Sequence, residues 1–418
     1  MRALVLAGPF RRYLHLHRSW HHPTMNTQVL PVNPSHFKLE NTTCTEFSSR
    51  NAKSIITDAD DQAAINKAVQ CLKEGEAVGI PTETVYGLAA NALEANAVAK
   101  IFAAKNRPQD NPLIVHVSSI DMLKSILPNH TIPSVYLPVI NQCWPGPLTL
   151  ILPKSSIIPS SVTCNQPTVA VRFPSHPVAR ALIDACGFPL AAPSANSSGK
   201  PSPTLASHVL DDLHGRIPMI LDGGACDVGV ESTVLDGLRS PPAILRPGGV
   251  TYETLRALPG MEQLQVYRKH FVDKALELAP TTPGMKYRHY SPEAMVILVE
   301  QNNEATSHLQ FQAVWRKELA ALQESGVGVT RVGILRTTSD EETVRWEETK
   351  TEDSVECISL QMGRCSHPEE VARSMFKGLR ELDSRSVDFI FVEGIAETQE
   401  GMAVMNRLRK AASKVIEL

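Results

Sequence analysis

The sequence predicts an α/β protein in two unequal units: a larger domain on a twisted mixed sheet, residues 55–278, and a smaller Rossmann-like domain with a mostly parallel sheet, residues 294–418. Three observations predict it. At 418 residues the chain exceeds what one hydrophobic core ordinarily serves. Its middle repeats short apolar runs closed by Pro and Gly turns, with few helical periods between them. Its last third alternates strand-like and helix-like segments, the pattern of crossovers between parallel strands.

Composition narrows the function classes. A hydrophobic content of 43% with 20% charged residues describes a globular chain, and a net charge of −3 supplies no overall basic field for nucleic acid, so any nucleic-acid contact has to come from a local patch. The eight cysteines form no CxxC pair, which argues against a zinc ribbon or a redox motif, and scattered thiols fit an intracellular compartment. No apolar run approaches the ~18 residues of a membrane span, so no membrane association is expected. Residues 1–38 contain no Asp or Glu but carry Arg2, Arg11, Arg12 and Arg18 among several histidines, the charge asymmetry of a mitochondrial transit peptide; a disordered tail or an upstream translation artefact would have the same composition. Met25 offers a second start, so the expectation is a cytoplasmic protein with a mitochondrial form begun at Met1. Residues 26–54 are rich in Asn, Thr, Ser and Pro without a sustained period and read as loop or disorder, which makes all of 1–54 an N-terminal extension.

The larger domain opens at Thr57-Asp58, a helix cap before Ala63, Ala64, Ile65, Ala68, Val69 and Leu72, which share one helical face and stop near Gly75. Residues 76–80 read as a strand running into Pro81-Thr82-Glu83-Thr84-Val85-Tyr86-Gly87-Leu88. There hydroxyls stand at a strand end, and Gly87 lets the backbone turn or approach another group closely, although a strand-turn-helix corner capped by Thr84 reads the same way. A second helix, about 95–104, delivers Lys105-Asn106-Arg107-Pro108-Gln109-Asp110-Asn111-Pro112. Its two cations complement a helix dipole, and they also stand directly before a strand. In that strand, 113–117, alternation sets Ile114 and His116 opposite Leu113, Val115 and Val117, so His116 either looks into a cleft or is a structural group.

Trp144-Pro145-Gly146-Pro147 and 148–152 read as a turn and a buried strand. In 168–173, Thr168, Ala170 and Arg172 share one face, and an Arg on a sheet needs an anion from the protein or from a ligand. Residues 193–204 are dense in Ser, Asn and Gly and form either a plain surface loop or one whose N–H groups and hydroxyls cradle phosphate or ribose oxygens. Strand-turn units follow at 219–224, 231–236 and 243–249. Arg246 ends the last of them, before Pro-Gly-Gly, where it reaches over the sheet edge or into solvent. A helix after Thr251 closes the domain near residue 270. Residues 279–293 are a linker in which Pro280 and Pro283 set a stiff path, Gly284 a hinge, and 285–290 hold two Tyr, a Lys, an Arg and a His, more chemistry than a tether needs. Beyond it, strands at 295–299, 327–335, 355–360 and 387–392 alternate with helices at 305–323, 368–382 and 403–413. No GxGxxG is present, so no dinucleotide site is inferred; the run Asn406-Arg407-Leu408-Arg409-Lys410 reads as a solvated basic helix.

The stretch 80–88 and the stretch 105–117, in that order, resemble the threonylcarbamoyl-adenylate synthases, the Sua5 branch of the Sua5/YrdC family, as do 144–152, 193–204, the linker and 401–412. The resemblance implies a YrdC-like domain followed by a Sua5 domain, and ligation of L-threonine, bicarbonate and ATP into threonylcarbamoyl-AMP and pyrophosphate. The product would pass to a separate machinery that modifies adenosine 37 of tRNA. Carried over position by position, it implies catalytic roles for Lys105 and Arg107. Thr84, His116, Arg172, Ala192 and Ser232 would hold threonine, and Arg107, Asn111, Thr168, Ser194, Asn196, Ser202, Arg246 and Tyr287 would hold ATP, which brings Mg2+ with it and needs no direct protein ligand. Two other classes remain to be separated: an RNA-binding module of the same fold without synthase activity, and the carbamoyl-transfer enzymes of hydrogenase maturation. The latter add an acylphosphatase region and CxxC zinc fingers that this chain lacks.

Overall fold

In the computed structural model, residues 25–40, 51, 53–274, 276, 280–282, 289–300, 308–339, 347–352 and 354–418 are described. The larger unit contributes strands β1 (Gln28–Pro31), β2 (Phe37–Leu39), β3 (Ser54–Ile56), β4 (Val78–Ile80), β5 (Gly87–Asn91), β6 (Ile114–His116), β7 (Leu148–Pro153), β8 (Thr168–Arg172), β9 (Leu190–Ala191), β10 (Met219–Asp222), β11 (Thr233–Asp236), β12 (Ala243–Arg246) and β13 (Gln265–Val266). Eleven of them pair in the order β1-β10-β4-β5-β9-β6-β8-β7-β11-β12-β13, with parallel and antiparallel neighbours interspersed, as expected for a mixed sheet. The two-residue β9 is antiparallel to both β5 and β6 and joins the halves of the sheet.

Helices cover both faces. Helix Ala59–Lys73 begins where the Asp58 carboxylate accepts the amides of Asp60 and Asp61, and it buries Ala64, Ile65, Ala68, Val69 and Leu72. With helix Pro177–Cys186 it closes one core against Val78, Ile80 and Leu221. Helices Ala95–Lys105 and Leu137–Cys143 close the other, around Leu88, Val115, Leu150 and Val171. Helix Ala95–Lys105 stops at Asn106, whose left-handed φ of 51° turns the chain back and aims Arg107 inward.

The expectation of loop or disorder over 26–54 does not hold for the described strands at 28–31 and 37–39, nor at 54. β1 runs parallel to β10 at the sheet edge, and β2 and β3 pair antiparallel. Neither signal was legible locally: β1 has three exposed residues and one half-buried, and its partner lies about 190 positions away, so no alternation marks it. Val32 and Phe37 are buried with the Ala59–Lys73 helix. Two truncations test this pairing, one removing residues 1–24 and one removing residues 1–39. Removal through residue 39 should cost at least ~3 kcal/mol in urea unfolding, since a buried Phe alone is worth about that; equal midpoints for the two truncations would contradict the pairing.

The smaller unit builds β14 (Met295–Glu300), β15 (Arg331–Thr338), β16 (Glu347–Glu352), β17 (Val355–Arg364), β18 (Phe389–Glu393) and β19 (Lys414–Glu417) into one sheet, ordered β16-β17-β15-β18-β14-β19. All neighbours are parallel except β16 and β17, so the Rossmann-like expectation is met, and β16 and β19 are additions to it. Helices Pro368–Ser384 and Gly401–Ala411 reach the larger unit. Arg380 donates to Pro201 O and meets Asp212 at 2.7 Å, Arg373 donates to Asp227 O, and Val85 and Val230 join the smaller unit's core. At Gly229 (φ 76°) a Cβ would stand 2.3 Å from Arg373 Cα, so only glycine permits this approach.

Candidate active site

The pocket forms where β4, β6, β8 and β12 end and β11 begins. β4 runs into a turn tied by one hydroxyl: Thr82 Oγ1 accepts the Thr84 and Val85 amides and donates to Val85 O at 2.6 Å. That turn presents Thr84. Arg172, at the end of β8, donates from Nη1 to Thr84 Oγ1 at 2.7 Å and pairs through Nη2 with Glu83 at 2.7 Å, while its buried Nε has no hydrogen-bond partner. Burial would push the Glu83 carboxyl up, but Arg172 and the Ser175 amide more than reverse this and hold it below the ordinary range. Gly87 lies against Ala192, and a Cβ there would come within 3.3 Å of the Ala192 methyl, so the 192–194 segment can close over the turn.

His116 faces this pocket from β6. Its Nδ1 lies 3.2 Å from Ile114 O, which can only accept, so Nδ1 carries the proton and Nε2 is left as an acceptor. Burial and Arg172 push its pKa down to about 3, so the ring is neutral at physiological pH. Ser232 exchanges a 2.7 Å hydrogen bond with Thr149, and Arg246 of β12 donates to Ser232 O at 2.9 Å. Arg107 is held from behind by Asn111 O and Pro112 O, at 3.0 and 2.9 Å, and burial lowers its pKa to about 10. These side chains line one partly open pocket.

The structure brings Thr84, Arg107, His116, Arg172, Ala192, Ser194, Ser232 and Arg246 together on this wall. Lys105 stands behind it: its ammonium donates to Ser194 O, Asn196 O and Asn196 Oδ1, and burial, with Arg107 nearby, lowers its pKa well below the ordinary value. Asn196 completes the loop through Lys200 O, and Ser202 reaches the wall only through Glu231, at 2.6 Å. Asn111 contributes its carbonyl to Arg107. Thr168 sits at the far end of β8 from Arg172 and does not line the pocket; its Oγ1 has no partner. Tyr287 lies outside the described residues, but the linker's described end, His289 and Tyr290, does line the pocket.

Sequence reasoning missed Glu231 and Arg407, and it marked His289 and Tyr290 only as members of a chemically rich linker. Arg407, read as part of a solvated helix, is fully buried: it pairs with Glu231 at 3.0 Å, donates to Pro247 O, and lies 5.9 Å from the Tyr290 ring centre. Its neighbour Arg409 fits the solvated reading, facing Glu300 and Glu397 at the surface. Tyr290 packs on Phe376 with ring centres 5.2 Å apart. A basic run carries no sign of which of its residues points inward; only the apolar neighbours Val404 and Leu408, three before and one after Arg407, offered a clue.

An α/β protein with three guanidiniums, a neutral imidazole and a hydroxyl-rich loop around one pocket is, as a class, a binder of small anionic substrates. Residues 70–248 match the family described as "Telomere recombination" (Sua5, YciO, YrdC), and residues 250–413 match the threonylcarbamoyl-AMP synthase C-terminal domain. The chain is 44% identical to the threonylcarbamoyl-AMP synthase of Schizosaccharomyces pombe, over 87% of this chain and 91% of that one. It is also 44% identical to that of Bacillus subtilis, over 83% and 92%. The crystal structure of Pyrococcus abyssi Sua5 complexed with L-threonine superposes with a TM-score of 0.74 at 38% identity, covering 94% of this chain and all of that one. The chain belongs to the threonylcarbamoyl-AMP synthase family, in its two-domain Sua5 form.

Proposed function

We propose that this pocket makes threonylcarbamoyl-AMP and pyrophosphate from L-threonine, bicarbonate or CO2, and ATP. The observation that carries the reading is the convergence of Arg107, Arg172 and Arg246 with Thr84, Ser194 and Ser232 on one wall, in a chain of the synthase family. The chemistry needs no protein nucleophile. Threonine's neutral amine adds to the carbon of CO2 and gives up a proton to form the carbamate, or condenses with bicarbonate as water leaves, and a carbamate oxygen then attacks the α-phosphorus as the bond to pyrophosphate breaks. Catalysis by position and charge suffices, which is what buried guanidiniums and backbone amides supply.

In this reading Thr84, His116, Arg172, Ala192 and Ser232 hold threonine, with the neutral His116 offering Nε2 as an acceptor. Arg107, Ser194 and Arg246 meet ATP. Asn196 and Ser202 keep its loop in shape, Lys105 acts through that same loop, and Asn111 supports Arg107. Thr168 and Tyr287 remain assigned to ATP by family position alone. Mg2+ fits as an ion carried on the triphosphate: the wall offers hydroxyls, guanidiniums and one ion-paired carboxylate, Glu231. Among the described residues the one His/Asp/Glu grouping that could hold a metal, His36, Asp58 and Asp61, does not line the pocket. When bound, the ion would offset phosphate charge as pyrophosphate leaves.

The product would pass to a separate tRNA threonylcarbamoyl-transfer machinery, with tRNA itself held weakly by this chain. Among the described residues no helix is long and apolar enough to cross a membrane. A mitochondrial form begun at Met1 and a cytoplasmic one begun at Met25 remain our proposal; those first residues lie outside the described part, and fluorescent fusions begun at each Met would test it. Mass spectrometry of the products from purified protein with threonine, bicarbonate and ATP tests the function. Binding of bare tRNA with no ATP consumed would favour the RNA-binding alternative.

A further inference from the structure

We infer that Arg407, contributed by the smaller domain, is a positioning residue of the synthase site: through Glu231 it holds an oriented anion in the wall that receives threonine. The inference rests on the synthase reading above. Its first support is geometric. Arg407 is fully buried, its Nε donates to Glu231 Oε2 at 3.0 Å, and Ser202 takes Oε1 at 2.6 Å, so both carboxylate oxygens are fixed from opposite sides. The same guanidinium donates to Pro247 O, and its Nη2 is a buried donor without a hydrogen-bond partner. Gly248 presses on the same place. A Cβ there would lie 2.3 Å from Glu231 O and 2.4 Å from Ser232 C, so the backbone bearing Glu231 and Ser232 is clasped between β12 and helix Gly401–Ala411.

The second support is what the anion faces. The groups around Glu231 are Arg407 and Lys410 from that helix, Arg246 from β12, Lys105 from helix Ala95–Lys105, His289 and Tyr290 from the linker, and Ser202 from its loop. Burial alone would raise the carboxyl, but Arg407 first and Arg246 second reverse this and hold it down at about 2. Glu231 is the one carboxylate lining the pocket among the described residues. In a wall of guanidiniums, hydroxyls and a neutral ring, a fixed anion serves positive charge. Of threonine, bicarbonate and ATP only threonine carries any of its own, on its α-ammonium; the Mg2+ that travels with ATP is the competing claim that the test separates. A structural ion pair tying two domains would need neither pocket exposure nor a fixed orientation, and both are present.

The test uses the full chain and steady-state synthesis of threonylcarbamoyl-AMP between pH 5 and 8. Arg407→Met should raise the KM for threonine at least tenfold while leaving the KM for ATP within about twofold. It should also add an acid limb, because Glu231 without its partner takes up a proton as pH falls through its raised pKa. That limb should be absent from the wild type and from Arg407→Met/Glu231→Gln, which has no carboxyl to titrate. The double variant should recover thermal stability relative to Arg407→Met, since no buried charge is left alone, yet keep the high threonine KM. Arg407→Lys should rescue in part. Recovery of stability and threonine KM together in the double variant would reduce the pair to a structural tie, and so would an unshifted pH profile in Arg407→Met. An altered Mg2+ requirement with an unchanged threonine KM would overturn the assignment to the ammonium. If the single variant does not fold, the threonine KM of the double variant decides alone. A wild-type protein that makes no threonylcarbamoyl-AMP would sink the synthase reading instead, and is seen before any variant is made.

Discussion

Arg107→Ala is expected to lower threonylcarbamoyl-AMP synthesis by two or more orders of magnitude in a protein that still folds. The guanidinium lines the pocket and is held in place by Asn111 O and Pro112 O rather than by a carboxylate, so its charge is not neutralised by a direct ion partner. Losing one such preorganised contact to a transition state is worth roughly 2.7–4 kcal/mol, or about 10²–10³ in rate. Two carbonyls lose a donor, which should cost about 1–3 kcal/mol of stability, within the reserve of a domain this size. Single-turnover pyrophosphate release and a thermal melt measure the two effects separately. Release at the wild-type rate from a folded variant would leave Arg107 a brace for the 111–112 strand entry and nothing more.

The second large effect should come from Arg172→Met. This change removes a donor to Thr84 and leaves the Glu83 carboxylate buried without its partner, a loss of about 3–5 kcal/mol for a broken buried pair. In the native protein Glu83 titrates below its unfolded value, so it contributes stability above the unfolded pKa that is lost only as pH falls through the folded one. Without Arg172, burial prevails and the sign reverses: the folded carboxyl takes up a proton more readily than the unfolded one. The variant's deficit in urea unfolding should therefore be larger at pH 7 than at pH 5, and Arg172→Met/Glu83→Gln should regain most of the stability at both. Activity should return in neither. A pH-independent deficit would mean that Glu83 and Arg172 are not coupled as drawn.

What could be read from the chain before folding followed the reach of each signal. Helix Ala59–Lys73 announced itself through a local cap and a 3.6-residue period, and Lys105, Arg107 and Ser194 through segments whose composition is odd for a plain loop. β1, β9 and β13 did not, because strands of two to four residues acquire meaning only from partners brought in from elsewhere. The larger domain's last expected helix was too long for the same reason: only Tyr252–Arg256 is helical, and β13 takes up residues further on. Glu231 and Arg407 are 176 residues apart, and neither has a neighbour in sequence that betrays the pairing. Lys105 shows the opposite limit. Its identity was legible, but three acceptors from one loop surround its side chain behind the pocket wall, which no linear pattern conveys.

That burial of Lys105 has a consequence for how the enzyme meets its substrates. The Lys105 side chain, enclosed by the carbonyls of Ser194 and Asn196 and the amide oxygen of Asn196, acts like a fixed internal peg around which the 194–198 segment is moulded. Many phosphate-binding loops become ordered only as an anion arrives, and their affinity is reduced by the chain entropy lost at that moment. Here that ordering is completed once, during folding, by a residue of the same chain. In the proposed reading, nucleotide would meet a loop whose shape is already set, and little of its binding energy would go into ordering that segment.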